Sequence, residues 1–458
     1  MPSFQRFLRV LPAFRPLAGG LILSIALAAH GAAGEQPAPP GDADTEVAAL
    51  VAEAQAKNPD LIAVRQEAAA AGARVRPAGA LPDPMLSVSY ENDGAAPSLG
   101  TEPMTRLAFA AQQAFPFPGK LGLAERIAKA DAARVATRPE RVVLTLEGAV
   151  RRSYADLLEA REEIRLVDEQ IETWRDIEGV IRARYAAGMG TQQDILRAQS
   201  EGTRLLQQRR RDEAAEKTAA SDLRRSLFRP PDSPLPTTGR LVVGAMPFVP
   251  AGERILAQAL EITPELKEAA LAKERAKLAA DLAHRNLRPD FVASAAYMNR
   301  GSLPLMWSAA VGVSIPLWAG EKQRPLIVEA ESLFESASAR ETSLRRQIQA
   351  LTEERLIRID SLAAEAKLDA EGILVQDRLS VDAALASYRT GSVPFVTVLE
   401  ALGTYFSDRR AAVSRLASLI RAKADLYEFT VDRSSQAPMT STAAAAVASA
   451  GPKMQESR

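Results

Sequence analysis

The chain is written twice, and that duplication constrains the fold before any single residue does. Lys57-Asn58-Pro59-Asp60-Leu61 returns as Ile262-Thr263-Pro264-Glu265-Leu266, and Leu81-Pro82-Asp83-Pro84 returns as Leu287-Arg288-Pro289-Asp290. Phe115-Pro116-Phe117-Pro118-Gly119-Lys120 returns as Ile315-Pro316-Leu317-Trp318-Ala319-Gly320. Tyr185-Ala186-Ala187-Gly188, ahead of Asp194-Ile195-Leu196, returns as Tyr388-Arg389-Thr390-Gly391 ahead of Val398-Leu399-Glu400. Landmarks in one order, at an offset of about 200 residues, describe two copies of one structural unit.

Composition removes several function classes. With 57 basic and 57 acidic residues the net charge is zero, so nothing draws the chain to nucleic acid. Cysteine is absent, which excludes disulfides, redox pairs and thiolate metal sites, and the only histidines are His30 and His284. Aromatics are only 5%, while Ala, Leu, Arg and Glu abound, which favours long helices over a sandwich. Arg6, Arg9 and Arg15, the apolar run Leu17 to Ala29 and the small residues Gly31-Ala32-Ala33 read as an export signal over 1–33. The alternative, a membrane anchor, needs an apolar run of about 20 residues, and this one is shorter. Cleavage near Ala33 removes His30, and no cysteine is available to make a lipoprotein. No later apolar run reaches spanning length, so membrane contact falls to strands or a surface helix.

Periodicity and breakers give the element order. A first repeat over 34–229 opens with a helix from about Thr45 to Arg76, stopped by Pro77, Pro82 and Pro84. Two strands follow, one alternating Leu86, Val88 and Tyr90 with Ser87 and Ser89, the other alternating Leu107, Phe109 and Ala111 with Arg106, Ala108 and Ala110. A long helix spans about Lys120 to Ala187, with Pro139 expected to divide it, and a short one spans Thr191 to Phe228. A proline-rich linker over 230–251 leads to a second repeat over 252–432. That repeat has a helix from Glu253 to Asn286, strands Phe291 to Met298 and Trp307 to Ile315, a long helix from Pro325 to Arg389 and a short one from Pro394 to Val431. Residues 433–458 read as a disordered tail. In each half two short helices together match the long one, so they can stack end to end beside it. Val150, Ser153, Leu157, Ala160, Ile164, Val167, Ile171, Trp174, Glu178, Ile181 and Tyr185 alternate spacings of three and four, a coiled-coil seam.

The strands have the length a tilted strand needs to cross a bilayer, about 9–11 residues. Four strands cannot close a barrel, and an open edge is not tolerated in lipid, so closure requires copies: three chains supply twelve strands. Tyr90, Phe115, Phe117, Phe291, Tyr297, Trp307 and Trp318 near strand ends fit interfacial girdles. The alternative is a small soluble β-subdomain with an aromatic core.

The duplicated order of helix, strand hairpin, long helix and short helix, with a Tyr-x-x-Gly turn ahead of Asp-Ile-Leu or Val-Leu-Glu, resembles the outer membrane efflux proteins of the TolC type over about residues 45 to 432. That resemblance implies a mainly α fold with a small membrane β part. The duplicated unit would form a trimeric α-helical barrel capped by a 12-stranded transmembrane β-barrel, four strands per chain. It implies a homotrimer in outer membrane lipid with a large periplasmic part, a periplasmic adaptor protein and an inner membrane pump of the resistance-nodulation-division type. Phe115-Pro116-Phe117-Pro118-Gly119-Lys120-Leu121 resembles the version in heavy-metal efflux members, which points to metal cations as cargo. Drug efflux and type I secretion are the alternatives. The local reading of that segment and its repeat is a strand-to-helix junction, carried by Pro116, Pro118, Gly119 and Lys120 and again by Pro316 and Gly320.

By the same resemblance, Tyr185, Gly188 and Gly190, with Tyr388 and Gly391, form the periplasmic tip where an adaptor docks. Acidic residues that ring the constriction in the best-known member match Thr397 and Glu400 here, so one acid is missing, and Asp194 can contribute instead. The alternative for these acids is ordinary helix-start stabilisation. No phosphate loop, metal cluster or nucleophile with a histidine base is present, so neither an enzyme nor a cofactor is expected. His284 reads as a structural or surface residue, and Met85, Met104, Met189, Met298 and Met306 as gap fillers rather than a copper relay. A periplasmic adaptor is the rival assignment, but it would have one helical hairpin flanked by β-rich domains.

Overall fold

Prolines and the residues ahead of them set the element boundaries in the computed structural model, which describes residues 43–235, 237–242 and 252–428. The expected export segment 1–33, the tail 433–458 and residues 243–251 of the linker lie outside the described residues. The single helix expected from Thr45 to Arg76 is three helices: α1 (Ala43–Lys57), α2 (Pro59–Ala73) and α3 (Val75–Gly79). Asn58 leaves helical geometry at φ −69°, ψ 115°, and its Oδ1 accepts from Leu61 N at 3.0 Å, while Pro59 opens α2 without needing a donor. Pro77 does not stop the helix as expected. It sits within the first turn of α3, where a missing N–H costs little.

Strands β1 (Met85–Glu91) and β2 (Arg106–Phe115) follow, then α4 (Lys120–Val135), α5 (Arg138–Ala186) and α6 (Gln192–Ser226). Pro139 divides the long helix at Ala136 and Thr137. The second repeat gives α7 (Gly252–Ile262) and α8 (Pro264–Arg285), again two helices where one was expected, broken at Thr263 ahead of Pro264. Strands β3 (Asp290–Asn299) and β4 (Met306–Ser314) lead to α9 (Gln323–Leu368), a π-helical turn (Asp369–Ile373), α10 (Leu374–Thr390) and α11 (Phe395–Tyr427). The π turn was not expected from the sequence. It carries Asp369 to 3% exposure, where Arg415 of α11 holds both carboxylate oxygens at 2.7 and 3.0 Å. No described helix is long and apolar enough to cross a membrane.

The short helices do lie along the long ones. Helices α1 and α6 pack on α5, α2 and α3 on α4, α7 and α8 on α9, and α11 on both α9 and α5. In the α5 seam Val150, Leu157, Ala160, Val167, Trp174 and Ile181 are buried, while Ser153, Ile164, Ile171 and Glu178 are half-buried. Tyr185, expected to continue the seam, is exposed and lies outside the apolar cluster that includes Tyr388 and Phe395. One core joins α1, α5, α6, Leu241 and the middle of α11; a second joins α5, α6, α10 and the start of α11. Around them, arginines of α11 reach carboxylates on α5, α6 and the π turn: Arg409 to Glu169, Arg410 to Asp212, Arg415 to Asp369, and Arg421 to Asp156 and Glu159.

The described part of the linker is strapped down. Arg229 meets both carboxylate oxygens of Glu53 at 2.9 and 2.7 Å, and Arg161 donates to the carbonyl and hydroxyl of Thr237 at 3.0 and 2.8 Å. Glu46 accepts from Tyr154 Oη at 2.7 Å and from the backbone N–H of Thr238 at 2.9 Å. Hydrogen bonds from Arg229, then Lys57, hold the Glu53 carboxyl down at about 2. A depressed carboxylate contributes stability that is complete above its ordinary value of 4.5 and lost as pH falls through about 2. Glu53→Gln is therefore expected to lower stability at neutral pH by about 1–3 kcal/mol and to flatten the loss between those two pH values, read by thermal unfolding across pH.

Candidate functional site: the sheet and the helical tip

The sheet is antiparallel in the order β1-β2-β3-β4, and its register sorts the side chains by face. Leu86 pairs with Ala111, Val88 with Phe109, Phe109 with Tyr297, and Tyr297 with Trp307, so one face is a continuous apolar surface. It is bare: Trp307 and Val311 are 79% exposed and Leu86 78%. The opposite face carries Ser87, Ser89, Ala110, Ser294, Ser308, Gly312 and Ser314, mostly small residues, with Met85, Val292, Met298 and Met306 as its larger apolar members. One side thus suits lipid and the other an aqueous lumen. The outer edges of β1 and β4 have no strand beside them among the described residues.

Below the sheet, the junction is held by residues of both repeats. Pro116 and Pro118 follow β2, and Gly119 turns the chain with φ +92°, a conformation that favours glycine. Lys120, almost buried, donates to Asp290 Oδ1 at 2.8 Å and to the Arg288 carbonyl at 2.9 Å, and Phe117 N–H donates to the same Asp290 oxygen at 2.7 Å. Asp290 was not singled out in the sequence; its place in the repeated Pro-Asp landmark was the available signal. At the second junction Pro316 follows β4, but Gly320 has no positive φ and the helix begins later, at Gln323.

At the other end, two glycines with positive φ end the helices that enter the tip, Gly188 at 74° and Gly391 at 81°. Met189 N–H donates to the Arg184 carbonyl and Ser392 N–H to the Ser387 carbonyl, both at 2.9 Å, which closes both turns in the same way. Gly190 packs against the Tyr185 backbone. Arg184, which no sequence motif marks, joins the turns: its guanidinium donates to the Tyr388 carbonyl, lies 4.5 Å over the Tyr388 ring, and donates to Met189 O at 3.2 Å. Burial pushes the Tyr388 phenol up, against the opposing charge of Arg184. Behind it Phe395 packs between Tyr388 and Trp174 with the rings tilted by about 50°, and Trp174 Nε1 donates to the Ala198 carbonyl at 2.8 Å.

The three gate candidates have different surroundings. Asp194 forms a capping box with Thr191: Asp194 N–H donates to Thr191 Oγ1 at 3.2 Å, and Thr191 N–H donates to Asp194 Oδ2 at 3.3 Å. Thr397 is half-buried. Glu400 is exposed and has no ion pair or hydrogen bond among the described residues. Among the described residues no group of three His, Asp or Glu is placed to hold a metal ion.

The family model for outer membrane efflux proteins matches residues 50–227 and 255–430, one match for each repeat. The chain belongs to the outer membrane efflux protein family. Solved structures agree on the fold of this efflux protein. CusC, described as forming a transmembrane channel, is 17% identical with a TM-score of 0.71, over 84% of this chain and 92% of that one. The outer-membrane channel OprN is 16% identical at a TM-score of 0.69, over 84% and 90%, and the Vibrio cholerae outer membrane protein VceC is 18% identical at 0.66, over 84% and 95%. No curated protein sequence matches the chain.

The faces of the efflux protein's sheet give a direct test. Val311→Arg places a charge on the apolar face and is expected to cost about 2–4 kcal/mol at mid-bilayer depth, whereas Ser308→Arg points into the polar side and costs far less. Assembly yield in outer membrane fractions checks the difference; equal yields would mean that the faces are misassigned.

Proposed function

We propose that this chain is the outer membrane exit duct of a tripartite efflux system. It works as a homotrimer that passively passes cargo delivered by an inner membrane pump through a periplasmic adaptor. The observation that carries this reading is the sheet: one bare apolar face, one face of mostly small and more polar residues, and two open edges. A single copy cannot remain in that state in lipid, where backbone polar groups at an open edge have no water to pair with. Three copies give a closed barrel whose polar face lines the passage. The paired helical turns at the other end support adaptor docking, and two hairpin units per chain speak against an adaptor. Export by the N-terminal segment brings the chain to the outer membrane.

Heavy-metal cations are the proposed cargo. The support is the junction sequence from Phe115 to Leu121, together with Glu400, an exposed and unpaired acid close to the tip that threefold repetition turns into a negative ring. Asp194 is the weaker gate residue because its carboxylate already caps α6. Growth of a deletion strain on graded copper, silver, zinc, cobalt and cadmium, beside a panel of drugs, tests the cargo. Sensitivity to drugs alone would overturn the metal assignment.

Two tip variants have distinct expected outcomes. Glu400→Gln should lower cation preference in single-channel recordings while leaving the trimer intact, and Asp194→Asn should change selectivity little. Arg184→Ala, which removes both the bond to Tyr388 and the contact with its ring, should raise single-channel conductance by loosening the two turns from each other. An unchanged conductance would place the restriction elsewhere.

A further inference from the structure

The two hairpins pair identically. Met85 lies opposite Gln112 as Val292 lies opposite Gly312, Ser87 opposite Ala110 as Ser294 opposite Ala310, and Tyr90 opposite Leu107 as Tyr297 opposite Trp307. Strand β3 therefore repeats β1, and β4 repeats β2, residue for residue. Between the hairpins runs a second kind of seam, β2 against β3, in which Gln113 faces Ala293, Ala111 faces Ala295 and Phe109 faces Tyr297. That seam joins the first repeat to the second. Where a second repeat meets the first repeat of another copy, the same pairing carried over by the repeat places Val313 opposite Leu86, Val311 opposite Val88 and Ala309 opposite Tyr90.

We propose that β4 pairs antiparallel with β1 of a second copy of this chain in that register, with Val311 opposite Val88 of the partner subunit, and that Lys322 meets Asp83 of the partner subunit at the junction end. The proposal rests on the trimeric duct reading and deepens it by assigning the contacts that close the ring. Two further features agree with it. The first is facing: Val313, Val311 and Ala309 share the apolar face with Leu86, Val88 and Tyr90, whereas a slip of one residue would set apolar side chains against serines.

The second is the set of groups left over at the junction. Within the chain, Asp290 pins the seam by accepting from Phe117 N–H and Lys120. Asp83 stands where Asp290 stands in the repeat, yet it is exposed and has no hydrogen bond or ion pair among the described residues. On the other edge, the position that repeats Lys120 is Gly320, which cannot supply a cation. Two residues on, Lys322 is exposed and its side chain is likewise without a partner among the described residues. Among the described residues Asp83 is thus an acid without a partner at the β1 edge, and Lys322, between Glu321 and Arg324, is a base without one at the β4 edge. A ring closed head to tail brings such complementary edges together at every interface.

The absence of cysteine makes the test clean, because two introduced thiols are the only ones present. Val311→Cys combined with Val88→Cys is expected to give a covalent trimer on a non-reducing gel after treatment of outer membranes with a membrane-permeant oxidant. Val311→Cys combined with Leu86→Cys or with Tyr90→Cys displaces one thiol by two residues, about 7 Å along the strand, and should cross-link about tenfold less. Efficient linkage in a displaced pair overturns the register, as does failure of every pair while the detergent-solubilised protein remains trimeric; neither result touches the duct reading. A monomer in detergent overturns both. For the junction contact, Asp83→Lys and Lys322→Asp should each lower the temperature at which the trimer dissociates, and the combined exchange should restore it. Without restoration, the assigned ion pair is wrong.

Discussion

The contact between α5 and α11, with the packing of α4 on α8, joins the helices of the two repeats, and the two largest cores form around α5 and α11. Helix α11 buries Val413, Leu416 and Ala417 with α5 in one core and Phe395, Val398, Leu402 and Phe406 with it in the other. A third group, Leu419, Ala422 and Leu426, packs with Ile255 and Ile359 of its own repeat. A helix buried on this many sides has little room for solvated charge, yet it carries Arg409, Arg410, Arg415 and Arg421. Each arginine extends past the apolar stripe to a carboxylate on a neighbouring helix, so apolar burial supplies the driving force and the ion pairs fix the register. Removing one partner of the most buried pairs, Asp212 or Asp369, would leave an arginine without compensation, a larger loss than the pair itself contributes.

At the sheet end the same chain is stable for a different reason. Every residue of β1 and β4 is exposed in a single copy, so burial within the protomer contributes almost nothing there. Order comes from the backbone ladder and from the Lys120–Asp290 contact beneath it, which ties the strand start of one repeat to the helix start of the other. In a single copy the apolar face and the open edges lack the burial that stabilises the helical part. This division explains how one chain can have a tightly packed helical region and a bare sheet.

The tip combines rigidity with exposed charge. Arg184 bridges the two turns through a hydrogen bond and a stacked ring, whereas Glu400 remains solvated and Asp194 is committed to its helix. Local capping thus separates two acids that look alike in the sequence. A carboxylate that satisfies backbone donors in its own first turn is held in place by that role, while one without such bonds presents its charge outward.

Much of this was legible in the sequence because it depends on short-range chemistry repeated at fixed spacing. The alternation in Trp307 to Ile315, the proline at 139 and the Tyr-x-x-Gly turns each act through two to four neighbouring residues, and the repeat displays them twice. The breaks at Asn58 and Thr263 were present in the same landmarks but were read through, because a helical apolar pattern continues across them and hides a local cap. Tertiary structure alone decided the rest. The π turn at Asp369 accompanies the pair that Asp369 forms with Arg415, 46 residues away. The role of Asp290 depends on Lys120, 170 residues distant, and that of Arg184 on Tyr388, 204 residues distant. Periodicity reports which side of an element is apolar, because that is a property of the element itself. It cannot report which distant group meets a particular charge, because that is set only when the two repeats pack against each other.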